Sequence, residues 1–213
     1  QLVSIKNTKV LSFFSGAGGM DLGFEGGFKV LNDSINKDVN PHWLTQKVDE
    51  NWSILKQTSF KTVFANDILP SAQLAWRNHF ENQGVDPEVY HLESIVDIVR
   101  RYKTEGVNPF PSGIDVVTGG FPCQDFSISG KRQGFNSKKT HTGLMSEAGA
   151  PSIENRGQLY MWMREVISIV RPKIFIAENV KGLVNLGDVK EVIEDDFRNI
   201  GNEGYVVVPA KVL

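Results

Sequence analysis

One cysteine, Cys123, lies in the run Gly119-Gly120-Phe121-Pro122-Cys123-Gln124-Asp125-Phe126-Ser127-Ile128-Ser129-Gly130, soon after the short run 114–117 (IDVV). A lone cysteine is most often a small buried hydrophobe. Behind a rigidifying proline, at the carboxyl end of a buried strand, a thiol instead stands where thiolates act as nucleophiles. With a free pKa of about 8.5 it is only a few per cent ionised at neutral pH, so such a site must assist it. Help of that kind could come from Glu178-Asn179-Val180, which follows the apolar run 173–177 (KIFIA). A carboxylate there is a capping or ion-pairing residue, or a catalytic acid. In a dry cleft its pKa would rise, and it could donate a proton or a strong hydrogen bond near neutrality.

A third constellation is Phe14-Ser15-Gly16-Ala17-Gly18-Gly19-Met20-Asp21. It departs from the dinucleotide pattern Gly-x-Gly-x-x-Gly because Asp21 takes the last glycine's place. The run is either a tight turn or a loop that lets a ligand approach the backbone closely. An acid near the helix start repels a pyrophosphate but tolerates a cationic sulfonium ligand carrying an amino acid and an adenosine. Asn66-Asp67 ends a further apolar run, where an acidic residue can accept hydrogen bonds from ribose hydroxyls.

The elements that must carry these groups alternate between apolar runs and helix-period segments. Residues 9–14 (KVLSFF), 61–65 (KTVFA), 114–117 (IDVV) and 173–177 read as buried strands, and 205–208 as the start of another. Helical segments are expected at 71–80 (Ala72, Ala75, Trp76, Phe80), through Leu92, Ile95, Val96 and Val99, and from Leu159 through Val170. Asp188 with Glu191 resembles a capping box that opens another helix, stopped by Gly201. This order predicts an α/β fold: a mostly parallel sheet with helices on both faces, and ligands at the strands' carboxyl ends. Residues 32–60 and 136–156 carry little periodicity and read as insertions.

Composition narrows the class. The 213 residues are 40% hydrophobic, with 23 Lys and Arg against 25 Asp and Glu, a net charge of −2. That is globular, and it excludes an overall basic arm, though not a local basic patch. No apolar run approaches ~18 residues, so no membrane partner is expected. One cysteine and histidines at 42, 79, 91 and 141 offer neither a disulfide framework nor a metal site. A cytoplasmic protein without a metal is the expectation.

Taken together and in this order, the three motifs resemble the cytosine-5 DNA methyltransferase family. VLSFFSGAGGMDLGFEGGF is similar to its cofactor motif, GGFPCQDFSISGKRQGF (residues 119–135) to its nucleophile motif, and RGQLY with PKIFIAENVKGL to its later helix and Glu-Asn-Val motif. The resemblance implies a Rossmann-like, S-adenosylmethionine-dependent methyltransferase acting on double-stranded DNA, in a bacterial restriction-modification system. On it, Cys123 attacks carbon 6 of a flipped cytosine, Glu178 binds the ring nitrogen and exocyclic amine, and Asn179 orients Glu178. Phe14, Ser15, Gly16, Ala17, Gly18 and Gly19 would cradle the cofactor, Asp67 hold its ribose and Ile68 pack on its adenine. Pro122 and Leu159 would complete the wall. Ser94-Ile95 falls where the family has an acid before an isoleucine. Gln124, Ser127, Ser129, Lys131 and Arg132 would line a loop that closes over DNA, and 131–156 is expected to be mobile. Residues 1–213 then form one catalytic, cofactor-binding domain. The Gln-x-Arg-x-Arg motif and target-recognition region should follow Leu213, on a longer polypeptide or on the second polypeptide of a split enzyme. These 213 residues are therefore expected not to be self-sufficient. The same chemistry on transfer RNA, and a non-catalytic regulatory homologue, are the alternatives.

Overall fold

A computed structural model describes residues 7–36, 38–39, 44–122, 159–185 and 189–209. Its centre is a five-stranded parallel sheet in the order β6-β5-β1-β7-β8, formed by β1 (Thr8–Phe13), β5 (Phe60–Asp67), β6 (Tyr90–Leu92), β7 (Val116–Gly119) and β8 (Ile174–Ala177). From β1 the chain builds outward through β5 and β6, then returns to the other side of β1 for β7 and β8. The order reverses between β1 and β7, and in such sheets that is where a crevice opens at the carboxyl ends.

Alternation along the strands assigns the two faces. Leu11, Phe13, Phe64 and Val117 point to one side, into a large apolar core with α3 (Ile95–Glu105), α4 (Leu159–Val170) and α5 (Val189–Arg198). Ala65 and Tyr90 instead join a smaller cluster with Trp76 and Phe80 of α2 (Pro70–Phe80) and Leu22 of α1 (Gly19–Glu25). Helices therefore cover both faces. The expected helices and four of the five expected strands are present, within a few residues of their predicted ends.

Four expectations need correction. Leu92 belongs not to a helix but to β6, whose three residues are too few to show a period; α3 starts at Ile95, with Ser94 as its cap. Residues 32–60 are not structureless: β3 (Leu44–Lys47) and β4 (Trp52–Leu55) form with β2 (Lys29–Leu31) an antiparallel sheet in the order β2-β4-β3. β8 ends the sheet among the described residues and is not fully buried, leaving Ile174 58% and Ile176 42% exposed. Residues 205–208 form no strand; Tyr205 is tied by its N–H to the Arg198 carbonyl and by its hydroxyl to that of Pro172. The insertion at 136–156, the basic loop and Asp188 lie outside the described residues. Among the described residues no helix is long and apolar enough to cross a membrane, and no cluster of potential metal ligands occurs.

Candidate functional site

The glycine loop begins where β1 ends. Phe14 takes a positive φ of 51°, an uncommon conformation for a bulky side chain, which turns the chain sharply off the sheet. The Ser15 N–H donates to the Asn66 carbonyl, its carbonyl accepts from the Gly18 N–H, and its hydroxyl accepts from the Asn66 N–H at 3.0 Å. The fully buried Asn66 side chain donates to the carbonyls of His91 and Glu93, binding the end of β5 to the turn after β6. That anchorage presents Asp67, whose carboxylate accepts from the N–H groups of Gly16 (2.9 Å), Ile68 (2.7 Å) and Leu69 (3.0 Å). A carboxylate has about four acceptor sites, so capacity for a ligand hydroxyl remains.

Beneath the loop lies an aromatic floor. The Tyr90 hydroxyl donates to the Gly16 carbonyl at 3.2 Å, and Trp76 stacks on Phe80 at 4.2 Å. Gly18 is forced: its φ is +88°, and a Cβ there would stand 2.6 Å from Trp76 Cδ1 and 2.8 Å from Phe80 Cε2. Among the described residues a Cβ at Gly16 or Gly19 would meet open space, so they leave the loop's upper side free for a ligand. Asp21 does not face that side. It lies in the first turn of α1 but is fully buried, with Oδ2 accepting from Trp76 Nε1 at 2.8 Å. Burial pushes its pKa up to about 6, against opposing contributions from the Ser12 hydroxyl and the Trp76 indole.

Across the reversal point, β7 and β8 pair with Gly119 opposite Ala177, and the Glu178 N–H donates to the Gly119 carbonyl at 2.9 Å. This lays the Glu178 side chain against the next residue: its Oε2 would be 3.0 Å from a Cβ at Gly120. Asn179 Nδ2 donates to the Phe121 carbonyl at 3.1 Å while its Oδ1 accepts from the Val180 N–H. Asn179 thus fastens the segment that leads through Pro122 to Cys123. Glu178 is exposed, so the dry cleft expected around it is not built by the described residues.

The remaining predicted positions divide. Ile68 is 37% exposed beside Asp67, and Pro122 is half-buried. Leu159 and Ile95 are buried in the large core, and Ser94 caps α3, its hydroxyl accepting from the Val96 N–H. Glu93 is held by Arg101 at 2.6 Å. Cys123, Gln124, Ser127, Ser129, Lys131 and Arg132 lie outside the described residues. Sequence reasoning missed Tyr90, whose three-residue strand leaves no periodic signal, and took Trp76 as core alone.

The model of the C-5 cytosine-specific DNA methylase family matches residues 52–212. The chain belongs to that family. Among curated relatives, this methylase chain is 33% identical to the type II methyltransferase M.BspRI of Lysinibacillus sphaericus, over 93% of its own length and 38% of that protein's. It is 29% identical to the type II methyltransferase M.NgoFVII of Neisseria gonorrhoeae, over 93% of the chain and 37% of the relative. With the DNA (cytosine-5-)-methyltransferase M.ApeKI of Aeropyrum pernix it shares 30% identity over 89% of the chain and 33% of the relative. The methylase chain spans well under half the length of these three proteins.

Proposed function

We propose that the protein methylates carbon 5 of cytosine in double-stranded DNA, with S-adenosylmethionine as donor and Cys123 as nucleophile, in a bacterial restriction-modification system. The observation that carries this reading is the convergence, at the carboxyl ends of β1, β7 and β8, of the glycine loop, the segment leading to Cys123, and Glu178-Asn179.

The residues suit the donor. Open space above Gly16 and Gly19 admits a ligand against the backbone, and Asp67 retains acceptor capacity for ribose hydroxyls. Phe14, Ser15, Gly16, Ala17, Gly18 and Gly19 would hold it, with Ile68 and Pro122 at its flanks. Bound S-adenosylmethionine supplies a methyl group activated by a sulfonium. The chain's part is to prepare the base. The Cys123 thiolate bonds to carbon 6 of an extruded cytosine, and the displaced electron density makes carbon 5 nucleophilic. Glu178 hydrogen-bonds the ring nitrogen and exocyclic amine, stabilising the charge that develops. Once carbon 5 carries the methyl group, it loses its proton and the carbon–sulfur bond breaks, restoring the thiolate and the aromatic ring. Extruding the base costs a few kcal/mol, which contacts to its Watson–Crick edge must offset.

The test is transfer of tritiated methyl groups by the purified protein to duplex DNA and, in parallel, to transfer RNA. Label in DNA, recovered as 5-methylcytosine, is expected. Label confined to RNA would overturn the substrate, and label in neither, with the downstream or second polypeptide also supplied, would favour a non-catalytic role.

A further inference from the structure

A buried carboxylate beneath the glycine loop has no place in the chemistry above. Asp21 has no solvent exposure, a hydrogen bond from the Trp76 indole and the Ser12 hydroxyl beside it, and its Oδ1 makes no hydrogen bond of ordinary distance and angle among the described residues. Its strand-side neighbourhood is equally unfinished. Ser12 and Thr118 pair across β1 and β7, and the buried Thr118 hydroxyl has no hydrogen-bond partner among the described residues. An ionisable group in such surroundings is costly, and an apolar or amide side chain would cost less. Packing alone does not account for it.

Its charge is also uncompensated. Among the described residues no Lys or Arg forms an ion pair with Asp21 or Asp67, whereas the neighbouring Glu25 is paired with Lys61 at 3.0 Å. One side chain separates Asp21 from the loop, because Trp76, which it holds, lies directly under Gly18. Tyr90 reports the same field. Its hydroxyl bonds Gly16, and its pKa is raised by burial first, then by the charges of Asp67 and Asp21. Two carboxylates, one below and one beside, therefore hold the loop at negative potential with low-dielectric walls, where charge acts at longer range than in water.

We infer that Asp21 is a specificity-determining residue of this loop, its buried carboxylate favouring the cationic sulfonium of S-adenosylmethionine over the neutral thioether of S-adenosylhomocysteine. The inference rests on the cofactor reading given above. It assigns to a residue that touches neither ligand a role in binding the donor and releasing the spent product.

The experiment is calorimetric titration of the purified protein with each ligand separately, at low and constant ionic strength. Asp21→Asn keeps an acceptor for the indole and removes the charge. Its affinity for S-adenosylmethionine should fall about tenfold, while that for S-adenosylhomocysteine stays within about twofold. Equal changes for both ligands, or none for either, would overturn the inference by reducing Asp21 to a structural residue. A second reading needs no variant. In the wild type, preference for S-adenosylmethionine should weaken as pH falls from about 7.5 toward 5.5. The ionisable groups around Asp21 are Glu25 on its own helix, Lys61 and Asp67 on β5, and Tyr90 on β6; Asp21 is the one pushed to about 6. A preference that does not change over that range would also overturn it. Failure of the wild type to bind either ligand would overturn the cofactor reading itself, and this inference with it.

Discussion

On the β6-β5-β1 side of the sheet every group that meets the glycine loop is braced by another: Asn66 by two carbonyls, Asp67 by three N–H groups, Gly16 by Tyr90, Gly18 by Trp76, and Trp76 by Asp21. On the β7-β8 side, among the described residues, Glu178 is exposed after the last strand of the sheet, fixed by one backbone hydrogen bond to Gly119 and by Asn179's tie to Phe121. The contrast separates two tasks. A small ligand gains affinity from a backbone cradle fixed before it arrives, because little ordering cost remains. On the proposed function the β7-β8 side has the other task, presenting Glu178 and Asn179 to an extruded base.

The largest expected effect is on the open side. Glu178→Gln should slow methyl transfer by roughly 10²–10⁴, the worth of a positioned acid, and leave affinity for S-adenosylmethionine nearly unchanged. Single-turnover transfer measured beside cofactor titration checks this, and a parallel loss of affinity would break the separation. On the braced side, Gly18→Ala forces a positive φ and a collision with Trp76, and should cost about 2–4 kcal/mol of stability in chemical denaturation. Cofactor binding should be lost with it.

Asp21 acts in the opposite direction. Its folded pKa, about 6, exceeds the unfolded value of 3.8, so the folded state holds the proton at higher pH than the unfolded state does. Stability is therefore lost as pH rises from about 4 through 6, by at most about 3 kcal/mol. Asp21→Asn should remove that slope. The variant should melt above the wild type at pH 7.5 and level with it near pH 4, as scanning calorimetry would show. The smallest effect belongs to Asn179→Ala, which removes the hydrogen bonds to the Phe121 carbonyl and from the Val180 N–H: about 1–2 kcal/mol of stability, with a disproportionate loss of turnover.

Much of this arrangement is legible in the sequence, because buried parallel strands are nearly continuous in apolar residues and each candidate motif follows one of them. The glycine run, Asp67 and Glu178-Asn179 all stand at strand ends, as the alternation of elements implies. What escapes reading has physical causes. β6 is three residues long and merges by pattern with α3. The β2-β4-β3 sheet is small and its burial pattern mixed, so Trp52–Leu55 gives no clean alternation. Asp21 looks like a ligand-facing acid at a helix start, and only packing reveals that α1 turns it inward onto Trp76, 55 residues away in sequence.

The central claim is that Cys123 bonds covalently to cytosine with Glu178's support. It is tested most directly with a pool of duplexes carrying 5-fluorocytosine throughout, incubated with the complete enzyme and S-adenosylmethionine and run on a denaturing gel. Fluorine on carbon 5 cannot leave as a proton does, so the carbon–sulfur bond should persist. The wild type should give a protein–DNA band stable to denaturation, and Cys123→Ser should give none. An equally strong band from Cys123→Ser, or methylation of ordinary DNA by that variant at the wild-type rate, would contradict the account.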